Sequence, residues 1–448
     1  MEALYRTVWR WHFYAGLFVM PMVLILALSG SLYLFKPQVE RWEERAWRGL
    51  STGSPAAPSV QRDAALAAYP GAVLHSYRLS ERPGDAVMIH LALAGGKGMR
   101  DVFVSPQGKV LGALNPDERV MAVVRKVHGQ LLLGRRGSWI VELAASWTIV
   151  MIVTGLYLWW PRRGTLAGVV WPRLRSGGRL FWRDLHAVTG FWVAGLALVL
   201  LATGLPWASV WGSGLDLVRG EMGWVKGRKA WTTGGEPVPS QMVHDHAMMA
   251  SGQMHMDSSV PLEAIVAEAE SEHLAFPVLV SPPGTSGPFG GPPDPAWVVR
   301  SDAQNRPLDV TIRYSAENGR EVSRETFAQK HPIDQFIGYG IAWHEGQLLG
   351  PVNQLIGLAT ALALVILSIS GFVMWRRRRP SGSLGAPSAT PVRIHGPGIR
   401  LAFAALVLLL PLFALSVLAL WSFDRLALQR MPVLAGWLGM KPSGAAEA

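Results

Sequence analysis

Five stretches of this chain, residues 11–35, 139–160, 185–210, 352–375 and 399–421, each carry about twenty apolar residues with almost no charge. At about 1.5 Å per residue that is enough to cross a hydrocarbon core of about 30 Å. Backbone in lipid must satisfy its own hydrogen bonds, so the stretches read as helices and the fold as a mainly α membrane protein. Composition agrees, with 50% hydrophobic and only 16% charged residues. The first stretch is too long and aromatic for a signal-peptide h-region and has no small-x-small site before Lys36, so it is expected to be retained.

Orientation follows from the basic residues beside the spans. Arg162, Arg163, Arg173, Arg175, Arg179 and Arg183 follow the second span, and Arg376 to Arg379 follow the fourth. Both connections are therefore expected in the cytoplasm, together with an N-terminus that carries Arg6 and Arg10. The resulting division is membrane segments 1–36, 137–161, 184–210, 351–375 and 399–421, and cytoplasmic loops 162–183 and 376–398. Two outer domains, 37–136 and 211–350, and an outer tail, 422–448, complete it. A bacterial inner membrane is the expected location. The formal net charge of +11 then reflects attraction to anionic lipid and gives no reason to expect nucleic acid. Zero cysteine excludes disulfides, thiolate metal sites, iron–sulfur clusters and covalent c-type haem.

The chain also repeats itself. "HGQLLLG" begins at His128 and "HEGQLLG" at His344; Gly155 and Gly371 each follow 27 residues later, and Trp159 and Trp375 four after that. "WHFYAGLF" and "LHAVTGFW" likewise place His12 and His186 four residues before Gly16 and Gly190, and eighteen before Gly30 and Gly204, which end the pairs Ser29-Gly30 and Thr203-Gly204. This is a parallel internal repeat of helix pairs, giving a four-helix core with a fifth span appended. It sets His12 and His186 at one depth near the cytoplasmic face and His128 and His344 at another near the outer face.

Eighteen residues are five helical turns, about 27 Å, so Gly30 shares a face with His12, and Gly204 with His186. Imidazole at one depth and a missing side chain at the other suit two stacked flat cofactors, with glycine letting the outer one approach the backbone. A single interfacial histidine reads as a snorkelling or hydrogen-bonded residue. Four in two symmetric pairs read as ligands, because ionisable residues inside spans are costly and usually functional. The expectation is two b-type haems, each bis-histidine, the inner on His12 and His186 and the outer on His128 and His344. Arg135 and Arg136 run against the positive-inside trend and are matched either by haem propionates or by lipid phosphate.

The phrases "RWHFYAGL", "HGQLLLG" and "HEGQLLG", with the span ends "GLYLWWPR" and "GFVMWRRR", resemble the PepSY-associated transmembrane helix family of iron-regulated membrane proteins, which includes ferric-siderophore reductases. The resemblance runs from about Tyr5 to Arg379. It implies an inner-membrane, haem-b-containing electron conduit acting on a periplasmic ferric-siderophore or other ferric chelate. Each outer segment reads as helix, strands with a Gly turn, and helix, a small α+β unit similar to a PepSY domain.

Between the third span and the second outer unit, residues 242–257 gather His244, His246, Met248, Met249, Met254, His255 and Met256. Thioethers with imidazoles suit copper, so a Cu(II) reductase or copper-binding protein stays open beside a flexible methionine-rich loop. Residues 281–295 read as a Pro/Gly loop. With no GxGxxG after a strand, no Walker loop and no HExxH, the electron donor is expected to be membrane quinol or a cytoplasmic flavoprotein. The third reading is a non-enzymatic membrane scaffold whose outer domains bind a periplasmic partner.

Overall fold

A computed structural model describes residues 2–161, 167–224, 258–286, 292–387 and 397–440. Its helices are α1 (Glu2–Tyr33), α2 (Lys36–Glu43), α3 (Pro58–Ala68), α4 (Val120–Gln130), α5 (Gly134–Trp159), α6 (Gly178–Gly204), α7 (Ser209–Glu221), α8 (Leu262–Ser271), α9 (Pro332–His344), α10 (Pro351–Arg378), α11 (Pro397–Leu409), α12 (Pro411–Leu426) and α13 (Pro432–Trp437). Its strands are β1 (Val73–Arg78), β2 (Val87–Ala92), β3 (Met99–Val104), β4 (Val110–Leu114), β5 (Val278–Ser281), β6 (Trp297–Ser301), β7 (Val310–Tyr314) and β8 (Glu321–Thr326). They form two compact units, one holding α1, α5, α6 and α10 to α13, the other holding the strands with α2, α3, α8 and α9.

In the helical unit, five helices are long and apolar enough to cross a membrane: Ala3–Tyr33, Gly134–Trp159, Gly178–Trp207, Pro351–Arg378 and Pro411–Arg430. The first four fall where the apolar runs lie. The fifth does not. Pro411 lacks an N–H and its ring crowds the preceding turn, so the run at 399–421 is cut into α11 and α12. The two pack on each other, Phe403 against Phe413 at 6.2 Å between ring centres. Phe413 also stands edge-on to Trp147 of α5 at 4.9 Å, and Trp147 Nε1 donates to Ser416 Oγ at 3.0 Å.

This break redirects the C-terminal segment. At the turn, the Leu409 carbonyl accepts from Trp211 Nε1 at 3.0 Å. Beyond α13, the Tyr14 hydroxyl donates to the Leu438 carbonyl, and Arg10 donates to the carbonyls of Pro387 at 2.6 Å and Gly439 at 3.1 Å. Leu438 and Gly439 thus lie beside Tyr14 and Arg10 in the first half of α1. A charged end of a different kind holds α7: Glu142 of α5 is 2% exposed, and its carboxylate accepts from the backbone N–H of Val210 at 2.8 Å and of Trp211 at 3.1 Å. These are unpaired donors of α7's first turn, where negative charge is favoured.

The second unit departs from the expectation of two small separate domains. Its strands make one eight-stranded antiparallel sheet in the order β4-β3-β2-β1-β5-β6-β7-β8. Each half is a meander, and they join where Tyr77 and Arg78 of β1 pair with Val280 and Leu279 of β5. The alternation in β6, buried at Trp297, Val299 and Ser301, marks one packed face. One core runs through both halves, taking Ala65 of α3, Tyr77, Ile89 and Val102 from the first and Ile265 of α8, Val280, Val299 and Ile312 from the second. Each such aliphatic side chain contributes roughly 1.5–3 kcal/mol by leaving water. An exposed β1 or β5 edge would invite pairing with another chain, and the seam removes both edges.

The repeated phrase is a helix-to-helix corner. In the first copy α4 ends at Gln130, and Leu131 (φ 49°), Leu132 (φ 59°) and Gly134 (φ 57°), the first residue of α5, take left-handed conformations. In the second, α9 ends at His344, and Gly346 (φ 73°) and Gly350 (φ 58°) do the same before α10. Glycine adopts such angles without the cost a Cβ brings.

Candidate functional site

His12 projects from α1 with Nδ1 3.0 Å from Thr154 Oγ1 of α5. The Thr154 hydroxyl is already turned to the carbonyls of Val150 at 2.8 Å and Met151 at 3.1 Å. A hydroxyl has one proton, so its oxygen accepts here and the imidazole Nδ1–H donates. His186 of α6 repeats the arrangement on α10, its Nδ1 donating to the Leu367 carbonyl at 3.1 Å and to Ser370 Oγ at 3.0 Å. A carbonyl can only accept, which fixes the tautomer outright. His128, near the end of α4, donates from Nδ1 to the Leu26 carbonyl and to Ser29 Oγ of α1, both at 3.1 Å.

Beside each hydroxyl sits a glycine against which the ring lies. A Cβ built on Gly155 would stand 3.3 Å from His12 Cε1, one on Gly371 3.5 Å from His186 Cε1, and one on Gly30 3.0 Å from His128 Cε1. Hydroxyl and glycine act together: the first orients the ring and the second lets it approach the neighbouring helix. Gly30 lies against the imidazole of His128, a contact the sequence alone did not identify. A Cβ built on Gly16 would stand 3.3 Å from Met151 of α5, and one on Gly190 3.5 Å from Leu367 of α10. Gly204 is the last residue of α6, and the Thr203 hydroxyl before it bonds the Val199 and Leu200 carbonyls as the other hydroxyls bond theirs.

With Nδ1 protonated, a neutral imidazole keeps its lone pair on Nε2. Among the described residues, Nε2 of His12 and of His186 makes no hydrogen bond, and His186 lies within electrostatic reach of His12. A ligating histidine is ordinarily held in this way, by an acceptor on its other nitrogen. Among the described residues no group of three or more His, Asp or Glu side chains assembles to hold a metal ion. Two oriented imidazoles of this kind could hold a haem iron.

His344 is the last residue of α9 and belongs to the sheet unit, whereas His12, His128 and His186 belong to the helical unit. Arg135 lies over the ring of Trp139 on its own helix at 5.5 Å, and Arg136 is exposed. The segment with His244, His246, Met248, Met249, Met254, His255 and Met256 lies outside the described residues. Sequence reading missed Thr154 and Ser370. The signal was present as a hydroxyl–glycine pair recurring in the first four spans, at 29–30, 154–155, 203–204 and 370–371.

The long apolar helices define a multi-pass membrane protein. The family described as PepSY-associated TM region matches residues 9–378, and the chain belongs to that family. No curated protein matches the chain.

Proposed function

We propose that this protein is a haem-b electron carrier of the inner membrane, with one haem held by Nε2 of His12 and His186. The observation that carries the reading is the shared pinning of the two rings: a hydroxyl–glycine pair on a neighbouring helix takes Nδ1–H in each case and leaves Nε2 as the ligating nitrogen. His128 has the same pinned geometry, and the sequence repeat names His344 as its counterpart for a second haem. A haem held by these imidazoles would supply one-electron transfer. Thr154 and Ser370 hold the ring tautomers, and the glycines beside them hold the rings close to α5 and α10. The donor is a quinol or a cytoplasmic flavoprotein, and the acceptor a ferric chelate outside, of the siderophore class.

The test is haem per polypeptide in the purified full-length protein, with a reduced-minus-oxidised spectrum, for wild type, His12→Ala, His186→Ala and the double variant. Each single substitution is expected to remove as much haem as the double, because a bis-imidazole site fails when either ligand goes. Additive partial losses would mean separate sites. A haem-replete preparation of wild type with no b-type α-band would end the reading.

A further inference from the structure

Two arginines at one end of the helical unit have no counter-charge of their own. Arg378, the last residue of α10, is half-buried, with its guanidinium over the rings of Trp9 at 5.1 Å and Phe13 at 5.3 Å. Those rings flank His12 in sequence, and Phe13 is itself 8% exposed, so the cation is drawn onto α1 and away from the lipid. Arg378 also comes seven residues after Gly371, the glycine that touches His186. Seven residues are close to two turns, about 10.5 Å, so Arg378 lies on the strip of α10 that holds His186. Arg179 comes seven residues before His186 on α6, hence on the strip carrying that histidine, and it lies within electrostatic reach of Arg378.

Several of their neighbours are satisfied differently, while Arg377 lies over the ring of Trp182. Arg173 and Arg183 share the fully buried Asp184, at 2.6 Å and 2.9 Å, Arg10 donates to two carbonyls, and Arg379 donates to the Ser383 carbonyl at 3.0 Å. Among the described residues neither Arg378 nor Arg179 makes a hydrogen bond or an ion pair. A half-buried cation such as Arg378 with a second cation in reach is unfavourable unless an anion completes it; Arg179 itself is exposed. Both arginines occur on the same helix strips as the paired imidazoles.

We propose that Arg378, assisted by Arg179, is the carboxylate seat of this site and takes the propionates of the haem ligated by His12 and His186. The inference rests on the haem reading above. A haem carries both propionates on one edge, and guanidinium–carboxylate bonds are charge-assisted and often bidentate. A cation there disfavours the extra positive charge of the ferric state, so it raises the reduction potential of that haem.

The experiment is a potentiometric titration of full-length protein in nanodiscs, with the haem identified as the one His12→Ala removes. In Arg378→Gln its one-electron reduction constant is expected to fall about tenfold, which is about 59 mV, while any other haem stays within threefold. Arg378→Lys, which keeps the charge, is expected to recover most of the shift. The shift should be the same in discs of zwitterionic lipid alone and in discs containing anionic lipid. An unchanged midpoint in Arg378→Gln overturns the proposal. So does a shift seen only with anionic lipid, which would assign the guanidinium to a lipid phosphate. If Arg378→Gln retains no inner haem, Arg179→Gln is read by the same criteria. Wild type without haem would instead defeat the functional reading itself.

Discussion

A methyl group added at Gly30, Gly155 or Gly371 meets an imidazole at 3.0, 3.3 or 3.5 Å. The last distance is ordinary contact, and the first forces the ring to move. Gly371→Ala is therefore expected to keep wild-type haem retention, and Gly30→Ala to weaken retention at His128 by about 1–3 kcal/mol, as overpacking does. Gly155→Ala should fall between. Rates of haem loss from the three variants give the order directly, and equal effects would show that the rings do not lie where the glycines are. The hydroxyls predict a second asymmetry. Thr154 is the acceptor for His12, whereas His186 keeps the Leu367 carbonyl if Ser370 is lost. Thr154→Val should weaken haem binding about 10–100-fold, the usual effect of removing the partner of a ligating histidine, and Ser370→Ala by less.

Among the elements, the seam between β1 and β5 makes the sheet one cooperative unit. Ile265 of α8 is fully buried in a core whose other members include Ile89 and Val102. Ile265→Ala should cost about 2–5 kcal/mol and lower hydrogen-exchange protection in β2 and β3 as well as in β5 to β8. Protection lost in the second half alone would argue for two independent domains. The same unit should weaken in acid. Glu44 is 5% exposed and accepts from Arg78 at 3.0 and 2.8 Å and from Arg119 at 2.8 Å. Burial works to raise its carboxyl, but the bonds and charges of the two arginines outweigh that and hold it below its ordinary value. A depressed folded value gives stability that is present above the unfolded carboxylate range, about 4.3, and is lost as pH falls through the lower folded one. Glu44→Gln should flatten that acid limb in thermal melts. At neutral pH it should cost about 3–5 kcal/mol, because the buried guanidinium of Arg78 loses its carboxylate, whereas Arg119 keeps Glu43 at 3.2 Å.

At the scale of the whole molecule, the break at Pro411 divides the C-terminal apolar run into α11 and α12. Arg10 and Tyr14 of α1 hold the carbonyls of Gly439 and Leu438, so reporters fused at the two termini should read the same side of the membrane, as should one after Arg379. Opposite readings at the termini would restore a single fifth crossing over 399–421. The sequence determined the features that depend on local composition and period. Four spans, the basic ends, the paired histidines and the corner phrases all follow from apolar length, charge and spacing, which the chain carries in its own order. The tertiary structure alone decided which groups meet. That Thr154 takes the proton side of His12, that Gly30 lies under His128, that two meanders share one sheet and that Leu438 returns to Tyr14 are contacts between residues about 100 to 420 positions apart. No local pattern encodes such contacts, because they depend on how whole helices and sheets bury one another's faces.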